Sequence, residues 1–110
     1  CPDGFHVPSD EEWTILTDYL GGESVAGGKM KEAGLEHWNS PNTGATNESG
    51  FTALPAGGVW SGSLKEVGSV AYFWTSTNNV SRRITWFESY IGRIMYPDMN
   101  YYLSVRCIKD

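Results

Sequence analysis

Cysteine, histidine and basic side chains are scarce in this chain. Its 110 residues include two Cys, two His and eight Lys or Arg, against thirteen Asp or Glu. His6 and His37 lie in separate segments, and Cys1 and Cys107 sit at opposite ends, so nothing has the ligand spacing of a zinc, copper or iron site. The net charge is −5. That leaves no basic stripe for a phosphate backbone or for anionic lipid, and excludes nucleic acid as a default partner. No apolar run approaches the roughly 18 residues of a membrane span, and no signal peptide is visible. A Gly-x-Ser-x-Gly elbow and a phosphate-binding loop are missing as well. Without linkers, repeats or low-complexity runs, residues 1–110 read as a single domain.

Aromatic and turn-forming residues, by contrast, are plentiful. Five Trp, six Tyr and four Phe accompany thirteen Gly and five Pro, more aromatic surface than a small core needs, on a chain that turns often. Ser9 followed by Glu12 is a capping box, and Asp10, Glu11 and Glu12 suit the positive end of a helix dipole. Trp13, Leu16 and Leu20 recur at i, i+3 and i+7, an inward stripe, and Gly21-Gly22 stops that helix. A second helix is expected over residues 26–33, with Met30 and Ala33 inward and Gly34 as its stop. The turn formers from Trp38 to Gly50 read as a long ordered loop. Strands are expected over residues 51–54, 58–60, 70–76, 84–90, 94–96 and 102–108. Helices first and strands later predict an α+β domain with an antiparallel sheet. In the last strand Leu103, Val105 and Cys107 would face the core.

The two cysteines admit four readings. They form a disulfide joining the termini, or stay as free thiols; Cys1 carries a lipid, as in a mature bacterial lipoprotein; or both bind metal. A disulfide has a physical motive, since closing a loop of about 100 residues removes up to roughly 4–5 kcal/mol of unfolded-state entropy in the simplest treatment. It also implies an oxidising compartment.

Six blocks, in order, carry a resemblance: CPDGFHVPSDEEW, LTDYLGG, AGGKMK, GFTALPAGG, YFWTST and SVRCIKD. Together they resemble the Fibrobacter succinogenes major paralogous domain, a family of bacterial surface and secreted modules, over essentially the whole chain. That family is in turn similar to the C-type lectin-like fold, which includes formylglycine-generating-enzyme-like domains. The resemblance implies adjacent termini clipped by Cys1 and Cys107, two helices flanking a twisted antiparallel sheet, and long loops that carry a binding surface. It also implies a bacterial envelope or extracellular location, within a larger surface protein.

The chemistry that such relatives carry is not matched here. Calcium-dependent lectins use Glu-Pro-Asn or Gln-Pro-Asp with Trp-Asn-Asp; the nearest pieces are Tyr96-Pro97-Asp98 and Trp38-Asn39-Ser40, which lack the paired oxygens a hard cation wants. Pro97-Asp98 reads as a hairpin turn. Loop oxygens on Asn42, Thr43, Asn47 and Glu48 offer a structural calcium at most; such side chains more often serve their own loop backbone. The redox thiol pair of formylglycine-generating relatives and the histidine iron site of sulfoxide synthases have no counterpart. His6 reads as a satisfied strand or core histidine. Phe51, Leu54 and one of Phe73 or Trp74 read as core, and Arg106 as a sheet arginine paired with Asp3 or Glu12. No cofactor and no catalytic residue are expected.

The segment 78–102 stands out, because Tyr, Trp and Arg give large contact area at low entropy cost. Arg83, Trp86, Tyr90, Arg93, Tyr96 and Tyr101 are the candidate ligand contacts, with strand alternation turning about half of them inward. Related lectin-like folds display ligand residues from the equivalent late strands. A non-enzymatic binding or adhesion module for a glycan or a protein is therefore the leading expectation. A purely structural module of a larger surface protein is the alternative. Composition leaves the oligomeric state open.

Overall fold

The computed structural model describes residues 1–98 and 100–110. Along the chain run β1 (Phe5–His6), α1 (Asp10–Tyr19), α2 (Glu23–Met30), β2 (Gly58–Trp60), β3 (Ser63–Lys65), β4 (Val70–Trp74), β5 (Val80–Thr85), β6 (Ile91–Met95) and β7 (Ile108–Lys109). The α+β expectation holds. The sheets are small and antiparallel: β4-β5-β6 in that order, the hairpin β2-β3, and the terminal pair β1-β7.

Helix α1 starts at the capping box. The Glu12 amide donates to Ser9 Oγ (3.1 Å) and the Ser9 amide to Glu12 Oε1 (3.0 Å). These two bonds satisfy donors the first turn would otherwise leave free. Trp13 and Leu20 are buried, and Leu16 packs beside them. The helix stops because Gly21 and Gly22 adopt φ of 106° and 104°, a region that side chains with a Cβ avoid.

The second helix begins and ends three residues earlier than the pattern predicts, and Ala33 is exposed. Lys31 has left the helix in an extended conformation and bridges to Ala53. Gly22, at its N-cap, starts it directly out of the previous turn. Its Gly27-Gly28 pair lets other backbone cross close by: a Cβ on Gly27 would stand 2.8 Å from the Ser89 carbonyl oxygen.

The core lies between the helices and one face of the three-stranded sheet. It joins Trp13, Leu20, Ala26 and Met30 to Trp38, Ala53, Ala71, Phe73, Ile84 and Ile91, with Phe51 and Trp86 packed against it. Trp13, Phe51 and Phe73 form an aromatic knot with centroids 5.5–5.8 Å apart, within the favourable range for such pairs.

Lys31 is the buried surprise. Its Nζ donates to the carbonyls of Thr43 (2.8 Å), Thr85 (3.0 Å) and Glu88 (3.0 Å). Three acceptors match the three protons of an ammonium. Burial, opposed by the nearby Glu88 charge, pulls its pKa down to about 8, which leaves it charged at neutral pH. The long loop is thereby tied to the end of β5. Within that loop the Asn42 side chain donates to the carbonyls of Glu32 (3.1 Å) and Gly34 (2.7 Å). Asn47 spans to Thr52 through both ends of its amide.

At the termini Cys1 and Cys107 form a disulfide across a Cα separation of 5.8 Å, so the sulfur of Cys1 is engaged there rather than with lipid or metal. Phe5 pairs with Lys109 and His6 with Ile108. His6 sits between Glu12 (2.9 Å) and Asp110 (2.7 Å). Glu12 first and Asp110 second raise its pKa.

Several strand boundaries differ from expectation. The sheet uses Val80–Thr85 and Ile91–Met95 rather than 84–90 and 94–96, because residues 86–90 form the turn between them. Residues 51–54 contribute a single bridge, and 102–108 contribute bridges at Tyr102 and Ser104 before β7. Without a continuous ladder the last segment does not alternate: Val105 is 49% exposed and Cys107 half-buried. Leu54 is exposed rather than core. Arg106 pairs with neither Asp3 nor Glu12; its guanidinium lies 4.1 Å over the Phe51 ring, a cation–π contact. Pro97 and Asp98 lie in a bend, where Asp98 Oδ1 accepts from the Asn100 amide.

Candidate binding site

Strand alternation divides the central sheet into two chemically different faces. Ala71 and Phe73 of β4, Arg82 and Ile84 of β5, and Ile91 and Arg93 of β6 share the face toward the helices, as their cross-strand register requires. Tyr72 and Trp74, Ser81, Arg83 and Thr85, and Gly92 and Ile94 share the other. Two outside segments add rings to this second face. Trp60 comes from β2. Tyr101 is placed by the next residues, since Tyr102 exchanges both backbone bonds with Val59 and the Ser104 carbonyl accepts from the Trp74 amide.

The result is an arc of five rings. Tyr72 to Trp60 and Trp60 to Tyr101 are each 5.8 Å between centroids, Tyr101 to Tyr96 is 4.5 Å, and Tyr96 to Trp74 is 5.2 Å. Tyr72 is buried at 6% exposure, while Trp60, Trp74, Tyr96 and Tyr101 are half-buried and Tyr102 beside them is 74% exposed. Polar atoms punctuate the arc. Tyr72 Oη donates to Glu66 Oε2 (2.5 Å), and Ser81 Oγ donates to Tyr96 Oη (3.1 Å). Burial first, then the carboxylate of Glu66, raises the Tyr72 pKa; burial also raises that of Tyr96.

The six predicted contacts do not share one surface. Arg83, Tyr96 and Tyr101 belong to the arc. Tyr90 stands at the edge of β6, its ring beside Gly92 and its hydroxyl 3.4 Å from Glu23 Oε2. Trp86 packs on the core with Phe87 against it. Arg93 is on the helix face, paired with the buried carboxylate of Asp10. Asp10 also accepts from Arg82 Nε (2.8 Å), whose Nη2 reaches Thr14 Oγ1 (2.8 Å). Burial alone would raise the Asp10 pKa; the hydrogen bonds from Arg93 and Arg82 outweigh it and hold it low. Asp10, read from sequence as a dipole partner, is instead the anchor between α1 and the sheet.

A model of the Fibrobacter succinogenes major domain matches residues 1–109. The chain belongs to that family. The match takes in the terminal disulfide, the Lys31 tether and the whole aromatic arc, so the candidate face is part of the family domain rather than an addition to it. No curated protein and no solved structure matches the chain.

Trp60, Tyr72, Trp74 and Glu66 are not among the contacts expected from the sequence, which reads Trp74 only as an alternative to Phe73 in the core. A signal for two of them was present: in VAYFW, Tyr72 and Trp74 occupy alternate positions and must share a face once the run is a strand. Trp60 and Glu66 arrive through long-range packing, which no local pattern announces. Elsewhere a groove of about 260 Å³ runs between α1, Phe51 and the last segment, and a hollow of about 270 Å³ lies by Leu54, Pro55 and Val67. Among the described residues no group of three or more His, Cys, Asp or Glu is placed to hold a metal ion, and no helix is long and apolar enough to cross a membrane.

Proposed function

We propose that this domain is a non-enzymatic binding or adhesion module of a bacterial secreted or surface protein, with a glycan or a protein as ligand. The observation that carries the reading is the arc itself: four half-buried rings contiguous around Tyr72, with Arg83 on the same face and the exposed Tyr102 at its rim. Large aromatic faces held by neighbours present contact area with little entropy left to lose. A C-type lectin-like fold is the architecture we assign. Two helices beside a small antiparallel sheet, clipped termini and a long loop support it. The disulfide supports an oxidising, extracellular setting.

A glycan array followed by titration of the best binder tests the function. Trp74→Ala and Tyr101→Ala are expected to lose at least about 1–2 kcal/mol of affinity each, with a melting temperature near that of the parent. The alternative, a structural module without its own ligand, draws support from the burial of Tyr72, because the arc also works as a second small core. On that alternative the same substitutions lower stability and no glycan or surface protein binds.

A further inference from the structure

We infer that the aromatic face recognises an acidic sugar, a pyranose whose carboxylate is taken by Arg83; this rests on the binding reading above and names its ligand class. Arg83 occupies the middle strand of the outer face, with Tyr72 opposite it on β4 and Gly92 opposite it on β6. It is half-buried. Among the described residues it has no ion-pair partner: the one carboxylate that pairs with arginine, Asp10, serves both Arg82 and Arg93 on the other face. Glu66, the acid of the arc, accepts from Tyr72. The positive charge of Arg83 nonetheless reaches both neighbouring phenols, pulling the Tyr72 and Tyr96 pKa values back against burial.

A guanidinium brought partly out of water without an anion is unfavourable, and a bidentate carboxylate is its best geometric match. Arg83 is only half-buried, so part of its side chain stays accessible on this face, flanked along β5 by Ser81 and Thr85 and with the Tyr90 ring lying over Gly92 beside it. Neighbouring rings of the arc are tilted 46–89° to one another, and the face of any one half-buried ring suits the C–H face of a pyranose. In a chain of net charge −5 an acidic polymer is not drawn in by the overall field, so a local cation must do the recognising. A neutral sugar would use the rings and leave Arg83 idle.

The probes are the hexasaccharide of galacturonic acid, the same hexasaccharide fully methyl-esterified, and hexaglutamate, each titrated calorimetrically into the intact domain. Wild-type protein is expected to bind the acid at least about tenfold more tightly than the ester, the scale of one charged hydrogen-bonded contact. That preference should shrink as salt rises. Arg83→Gln should bring the two affinities to within about twofold, and Arg83→Lys, which keeps the charge and loses the fork, should fall between. Equal affinity for acid and ester, or a preference that survives Arg83→Gln in a folded variant, overturns the acidic-sugar assignment and leaves the binding reading standing. Hexaglutamate binding as tightly as the uronate would transfer the face to acidic peptides and also overturn it. No binding to the acid, with another sugar bound and weakened by Trp74→Ala, overturns this inference alone. No binding to any sugar or surface protein overturns both.

Discussion

Lys31 shows how much a single side chain decides in a domain this small. It is fully buried, and its three carbonyl partners come from two separate segments, the long loop and the end of β5 with the turn after it. Lys31→Met keeps the apolar stem but leaves three acceptors without their donor. An unsatisfied buried polar group costs about 1–3 kcal/mol, so a loss of roughly 2–5 kcal/mol is expected in denaturant unfolding. The pH dependence has a definite sign. The folded pKa of about 8 lies below the ordinary 10.5, so between those values the unfolded chain holds more protons. Stability relative to Lys31→Met should therefore rise as pH goes from about 8 to 10.5. A flat difference across that window would mean that the ammonium is not desolvated. His6 works in the opposite sense. Its pKa is raised above 6.5 by Glu12 and Asp110. Its contribution is fully present below pH 6.5 and lost as pH rises through the raised value. His6→Gln should abolish this component of the pH–stability profile, measured against wild type.

At the scale of elements, α1 is the one helix whose start and buried face follow from local chemistry. Removing its cap with Ser9→Ala is expected to cost about 1 kcal/mol. Trp13→Ala empties a site packed against Phe51 and Phe73 and is expected to cost roughly 3–5 kcal/mol. Paired denaturant melts check the order of the two; a neutral Trp13→Ala would contradict the aromatic knot. Helix α2 behaves differently. Apolar periodicity over residues 26–33 located a helix but slid it toward the C-terminus. The element that ends it is the bridge from Lys31 to Ala53, a long-range partner. The sheet shows the same pattern: β4 lies within its expected run, but the runs 84–90 and 94–96 share only two residues each with β5 and β6, because pairing decides that residues 86–90 turn rather than extend.

For the whole molecule the closing device is the pair of termini. The disulfide spans 106 residues, and β1 and β7 add a short ladder beside it. Reduction, or Cys1→Ser with Cys107→Ser, is expected to lower the melting temperature, by as much as roughly 4–5 kcal/mol of stability if unfolded-state entropy dominates. Mass spectrometry of the non-reduced, digested protein should find the Cys1–Cys107 peptide. Two alkylatable thiols in the oxidised native protein would contradict it. Reduced protein should keep the central sheet, because the core that supports it lies in residues 13–91.

The sequence by itself determined the α+β class, the first helix with its cap and inward stripe, the long loop, and the family, because each is written in neighbouring residues or in ordered blocks. It also located the aromatic and arginine wealth of the late segment. Only the tertiary structure decided which of those side chains meet. Arg82 and Arg83 are neighbours in sequence, yet one is spent on Asp10 beneath the sheet and the other faces the rings above it. Arg93 joins the first, and Trp86 goes to the core. Trp60 reaches the arc from a hairpin beyond the candidate segment, and Lys31 finds carbonyls up to 57 residues away. Alternation sorts residues into two faces, but not which face meets the helices. That is settled by whichever side buries more apolar surface once α1 and α2 dock.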